Sequence, residues 1–419
     1  MPAEASHDAT VLVRARAIRA FGDGYVAVLL PVYLTTLDYS SFEVGAMATS
    51  SLIGSSMLTL LVGLVAYRMK RRSVLIYATL LMAFTGIAFS TFDQFWPLLM
   101  VAFVGTLNPS GGDVSVFLPV EQSLLPQTVP ARKRTALFAR YGLVGTLVGA
   151  IGALVSGVPE LLSDRTDIDL QTAIKGMFLL YAVLGALAFF VYRRLSAGLE
   201  PETVRVKAPL GESRSTVYKL AALFSLDSFG GGFVIQSLLA LYLYDRFELS
   251  VATTGLIFFW TNLLAAFSIL ASAWLAERIG LIETMVFTHI PAQIALMLVP
   301  FMPSLWPALA LLLIRALFSH MDIAPRNSYV MAVVSPPERP AAASVTSVPR
   351  SLASAGSPLL AGYLFSLSAF GWPLLIGGAL KLTYNGLLLG MFRKVRPPEE
   401  LEAADDQLDG SSSGASPRN

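Results

Sequence analysis

The chain has no cysteine and only three histidines, His7, His289 and His320, in 419 residues. The first absence excludes disulfides, thiolate metal sites and thiol catalysis. The second leaves too few imidazoles for a histidine-built metal centre. Charge is sparse as well: 14% of residues are Asp, Glu, Lys or Arg, against roughly a quarter in soluble domains. No HExxH pair and no glycine-rich phosphate loop with its lysine occurs. An enzyme is therefore not expected, nor any cofactor or metal. Residues 1–12 are polar rather than a basic-then-apolar leader, so no cleavage is expected.

What fills the chain instead is apolar: 55% of it is hydrophobic. Stretches of roughly 20 apolar residues, each enough to cross a ~30 Å hydrocarbon core, recur along its length. They fall at 13–37, 43–66, 73–92, 95–120, 136–158, 171–195, 217–244, 251–276, 281–302, 305–331, 341–368 and 371–392. The expected fold is an all-α membrane protein of about twelve transmembrane helices. Basic residues cluster after even-numbered spans, as in Lys70-Arg71-Arg72, Arg132-Lys133-Arg134 and Arg193-Arg194. The alternate loops carry Asp38, Glu43, Asp93, Glu160 and Asp164. Positive loops stay cytoplasmic, which predicts both termini inside a plasma or inner membrane.

The chain also repeats itself. Tyr33 in Val-Tyr-Leu returns as Tyr242 in Leu-Tyr-Leu, 209 positions on, and Trp96-Pro97 returns as Trp306-Pro307, 210 positions on. Phe21-Gly22-Asp23-Gly24-Tyr25 is echoed at Phe229-Gly230-Gly231-Gly232-Phe233. Two pseudo-symmetric six-helix bundles follow, residues 13–195 and 217–396, after a polar N-terminal segment of residues 1–12. A polar, basic linker at 196–216 joins the bundles, and an acidic, serine-rich tail at 397–419 is expected to be disordered. Paired halves in an apolar chain mark alternating-access folds, whose substrate site lies between the halves near mid-membrane.

Gly63-Leu64-Val65-Ala66-Tyr67-Arg68-Met69-Lys70-Arg71-Arg72 resembles the G-x-x-A-D-R-x-G-R-R loop of the major facilitator superfamily, with Tyr67 for the acid and Lys70 for the second glycine. The second-half copy, Ala276-Glu277-Arg278-Ile279-Gly280, keeps the acid–Arg pair. The resemblance, over about residues 13–395, implies that the acid and arginine of this loop latch the halves on the cytoplasmic side. Arg68, Arg72, Glu277 and Arg278 are then gate candidates, with Glu121 as partner of Arg68, and Arg140 and Arg350 near the same face. The alternative is that Arg68 to Arg72 only set topology. In the family's proton-driven exporters the fifth helix carries a Gly-Pro motif; here Gly142 to Gly157 contain no proline.

Charges in hydrocarbon are costly and default to functional sites facing the bundle interior. Asp23, Asp227 and Asp113 are the proton-coupling candidates. Asp23 reads either as a titrating group or as half of an Arg19–Asp23 ion pair one turn apart. Substrate-cavity candidates are Arg315, Asp322, Arg326, His320, Asn108, Lys381, Asn262 and Tyr25. Asp322 and Arg326 are spaced to pair. Arg315 has no partner in its own helix, so it binds an anionic group or pairs with Asp227. The reading is a secondary transporter exporting a small organic solute in exchange for protons, working as a monomer in the lipid bilayer with no nucleic-acid partner. The alternatives are a facilitator or an importer of an organic anion, and a non-transporting sensor on the same fold.

Overall fold

The computed structural model describes residues 6–65, 70–111, 115–130, 133–196, 211, 213–335 and 338–393, which are helical with no strand among them. Lipid offers no partner for a backbone N–H or C=O, so apolar spans must close their hydrogen bonds within helices. In the first half these are α1 (His7–Thr36), α2 (Ser41–Val65), α3 (Arg71–Thr91), α4 (Phe95–Val104), α5 (Phe117–Leu124), α6 (Arg134–Val155), α7 (Val158–Arg165) and α8 (Leu170–Tyr192). The second half holds α9 (Arg214–Gly232), α10 (Gln236–Phe247), α11 (Val251–Ile279), α12 (Leu281–Leu298), α13 (Leu305–Phe318), α14 (Ile323–Ala332), α15 (Arg339–Leu367) and α16 (Trp372–Phe392). Local chemistry sets several ends. Ser6, Asp169 and Ser250 cap α1, α8 and α11 through their side-chain oxygens. Gly280, at φ 93° and ψ 164°, turns the chain from α11 into α12 in a conformation essentially closed to other residues.

Among the described residues, ten helical stretches are long and apolar enough to cross a membrane. The fourth predicted span falls short because it breaks. Pro109 and Gly111, the latter at φ 82°, interrupt it between α4 and α5. The tenth breaks at the equivalent place, between α13 and α14, and the seventh breaks after Gly232. The eleventh, α15, is long but carries Ser344, Ser347, Arg350, Ser351, Ser354 and Ser357. Large apolar side chains lie exposed on the outer surface. Trp96 and Trp306, equivalent in the repeat, are 72% and 77% exposed. That exposure suits only a membrane boundary, where tryptophan concentrates.

The halves meet through α2 with α15, α6 with α11, and α1 with α10. Their tightest backbone contacts lie at the end away from Ser196 and Gly211. A Cβ on Gly45 would stand 2.5 Å from the Pro358 carbonyl oxygen and 2.9 Å from the Cα of Gly362. Only glycine permits backbones that close. Nearby, the Leu359 N–H donates to Thr49 Oγ1 (2.9 Å), and the Ala252 N–H donates to Glu160 Oε2 (2.8 Å). Lys175 and Tyr33 both donate to Asp93 at this end (2.8 and 3.0 Å), and the lysine holds that carboxyl below its usual range. At the opposite end, Glu338 accepts from Ser213 and from the Gly211 N–H, which hold its carboxyl low and tie the start of α15 to the chain entering α9.

Candidate functional site

Interior charge is handled differently in the two halves. In the first, Arg19 on α1 pairs with Glu121 on α5, and their side chains are 2% and 0% exposed. Tyr192 donates to Glu121 Oε1 (2.6 Å) and accepts from Arg19 Nε (3.1 Å), while Tyr141 also donates to Glu121. The Arg19 guanidinium lies 4.1 Å from the centroid of the Phe117 ring. This overturns the Arg19–Asp23 pairing: the arginine reaches across to a residue 102 positions away. Glu121 is likewise consumed in this buried knot rather than standing at the membrane face. Asp23 itself is 4% exposed. Among the described residues it is the buried acid with no hydrogen bond or ion pair, with Arg19 and Arg16 the cations whose fields reach it.

In the second half both buried acids are compensated. Lys381 on α16 donates to Asp227 Oδ1 at 2.8 Å, and Arg326 Nη1 lies 3.3 Å from both Asp227 Oδ2 and Asp322 Oδ2. His289 Nε2 on α12 is 3.2 Å from Asp322 Oδ1. Two carboxylates and two cations thus balance within one buried network, with the imidazole at its edge. The sequence spacing of Asp322 and Arg326 is realised as an ion pair. The alternative of an Arg315–Asp227 pair is not, because Asp227 is held by Lys381 and Arg326.

A central cavity of about 230 Å³ lies between the halves. Arg16 on α1, Ser110 and Thr146 face it from the first half; Gln236, Asn262 and Arg315 face it from the second. His320 also lines it, with its Nδ1 2.9 Å from Ser319 Oγ. Among the described residues, no Asp or Glu does. Ser110 is shared with a second cavity of about 230 Å³, walled by Asp227, Arg326, Arg350 and Lys381. Arg350 and Ser351 in turn border a third, of about 270 Å³, between α2, α5 and the first half of α15. The three form a chain running from the centre toward the end of the molecule at which α2 ends and α15 begins.

Other candidates fall elsewhere. Asn108 is buried at the α4–α5 break, where its Oδ1 accepts from the Ser110 N–H and hydroxyl (3.2 and 2.6 Å). Tyr25 is fully buried and donates to the Met177 carbonyl (3.1 Å), away from the central cavity. Arg140, Glu277 and Arg278 are exposed, the last 4.1 Å from the centroid of the Trp274 ring. Arg72 donates to the Arg193 carbonyl. Arg68 and Asp113 lie outside the described residues. Five participants escaped the sequence reading as site residues: Arg16, Gln236, His289, Tyr141 and Tyr192. Arg16 reads as a charge at the opening of the first span if that span starts at 13. The helix starts at His7, which places Arg16 ~13 Å along it.

A family model described as "Major Facilitator Superfamily" matches residues 14–226 and 220–413. The chain is 26% identical to the "Uncharacterized membrane protein YJR124C" of Saccharomyces cerevisiae, over 93% of this chain and 94% of that protein. Among solved structures, it superposes on a bacterial homologue of the human lysosomal transporter Spinster, in an inward-facing and occupied conformation, with a TM-score of 0.73. Identity there is 15%, with 92% of this chain and 96% of that one covered. The nucleoside transporter NupG gives a TM-score of 0.68 at 13% identity, covering 92% and 99%. At such identities the likeness is one of fold.

Proposed function

The chain belongs to the Major Facilitator Superfamily, and we propose that it is a proton-coupled secondary transporter exporting a small organic solute by alternating access. The observation that carries the reading is the central cavity, walled by both halves and closed off at one end only by their close packing. If the halves rock apart about that contact, the cavity changes the side it opens to. With the end of α8 that carries Arg193 and Arg194 in the cytoplasm, as those arginines favour, the chain of cavities leads inward and this state loads from the cytoplasm. The protein then sits in the plasma or inner membrane with both termini inside.

Asp23 is the coupling residue in this account. Asp227 and Asp322 have their charges fixed by cations within 3.3 Å, whereas no partner locks the charge of Asp23. Arg16 connects it with the cavity, since that arginine lines the cavity and its field reaches Asp23. A solute charge arriving beside Arg16 and a proton arriving at Asp23 are felt through one guanidinium.

The test uses purified protein in liposomes that hold a pH-sensitive dye, challenged with pools of metabolites. Wild type is expected to move protons when one pool is added, and Asp23→Asn to keep tracer exchange of that solute while losing the proton movement. Exchange without proton movement in wild type would make the protein a facilitator. Proton movement unchanged in Asp23→Asn would remove Asp23 from the mechanism.

A further inference from the structure

The central cavity presents two buried donors that meet no acceptor among the described residues. Arg315 Nε is buried and makes no hydrogen bond, and the same holds for Gln236 Nε2 across the cavity. The cavity wall also carries the apolar side chains of Leu312, Ala316 and Ile269. Arg16 adds a second guanidinium from the opposite half, itself packed 5.6 Å from the centroid of the Tyr141 ring. Taking an ion from water into such a setting costs several kcal/mol unless it is paired and hydrogen-bonded. The neighbouring cavity shows the contrast. There Lys381 and Arg326 already meet a carboxylate of the wall itself, Asp227, at 2.8 and 3.3 Å. Among the described residues the central cavity is lined by Arg315 and Arg16 and by no Asp or Glu.

We propose that the substrate is a small organic anion whose carboxylate or phosphate group is received by Arg315 and Gln236, with Arg16 closing on it from the other half. The guanidinium fork matches either group through two parallel N–H···O bonds. A volume of about 230 Å³ lies below the roughly 300–1,000 Å³ of sites for drug-sized ligands, which fits a metabolite rather than a bulky drug. Because the two guanidiniums come from different halves, the anion bridges the interface that must rearrange during transport. This inference rests on the transport reading, and the experiment separates the two.

Liposome exchange is measured with matched pairs of small solutes: dicarboxylates against their diamides, and sugar phosphates against the free sugars. The protein is wild type, Arg315→Gln or Arg315→Lys, and melting temperature in detergent is recorded with each solute. Anions alone are expected to exchange and to raise the melting temperature. Arg315→Gln should cut exchange at least about tenfold, and Arg315→Lys should recover only part, since an ammonium keeps the charge but loses the fork. Removing a buried charge without an ion-pair partner does not endanger folding, which the unliganded melting temperature checks. The carboxylate and phosphate arms tell which group is bound. Exchange of neutral or cationic solutes, unaffected by Arg315→Gln, would overturn the anion assignment and leave transport standing. An Arg315-dependent melting shift with anions but no exchange would uphold the site and refute transport. Neither exchange nor shift would overturn both.

Discussion

Replacing Glu121 by glutamine is expected to destabilise the protein by about 3–5 kcal/mol, the usual consequence of stranding one partner of a buried ion pair. The substitution keeps the shape but removes the charge opposite Arg19, and it keeps an acceptor for only one of Tyr192 and Tyr141, which donate to different oxygens. That arginine is almost fully enclosed, against Phe117 and Tyr192. The effect should appear as a lowered midpoint in SDS titrations of detergent-solubilised protein. Asp23→Asn, one turn further along α1, supplies the contrast: with no ion pair to break, it should leave the midpoint nearly unchanged. Neutralising both partners, Arg19→Gln with Glu121→Gln, should recover part of the loss. A change below about 1 kcal/mol for Glu121→Gln would mean that the arginine finds another counter-charge.

The second large effect concerns Asp227. Its network joins two carboxylates to two cations, Lys381 and Arg326. Asp227→Asn leaves Lys381 without its carboxylate and forces Arg326 to rely on Asp322 alone. The expected loss is again about 3–5 kcal/mol, accompanied by loss of solute exchange, because the network walls the cavity next to the central one. Adding Lys381→Gln restores the charge balance and should return much of the stability. The double-mutant cycle should therefore show coupling of about 1–3 kcal/mol, the range for residues in one ion-pair network. Strict additivity would show that the 2.8 Å contact carries no energy of its own.

How much of this was legible in the sequence differs by scale. The helical spans follow from runs of apolar residues alone, and the halves from landmarks recurring at a spacing of 209 or 210. The polar clusters around Asn108 and Arg315 announce the breaks in the fourth and tenth spans, since Pro109 and Gly111 weaken one and Asp322 opens the short helix α14 after the other. Partners within one helix are readable too: Asp322 and Arg326 sit four apart and pair at 3.3 Å. Partners across helices are not. Arg19 and Glu121 lie 102 positions apart, and periodicity says nothing about which faces of α1 and α5 meet. The depth of Glu121 was hidden by the break. An uninterrupted helix over 95–120 puts it at the membrane edge, whereas the loop between α4 and α5 keeps it inside. His289 is a single polar residue in an apolar span, and only packing of α12 against α14 brings it to Asp322.

The claim on which the rest depends is that the halves separate at their sealed end during each cycle. The absence of native cysteine makes a direct measurement available. A Cβ on Gly157 would stand 2.9 Å from that of Ala252 in the other half. A small shift brings the pair to the roughly 3.5–4.5 Å of a disulfide. Solute exchange should be measured in liposomes for Gly157→Cys/Ala252→Cys under oxidation, after reduction, and for each single variant. The account predicts that exchange stops when the bridge forms, returns when it is reduced, and continues throughout in the single variants. Full exchange by fully cross-linked protein would contradict it, because a cavity sealed for good at that end cannot deliver its solute there.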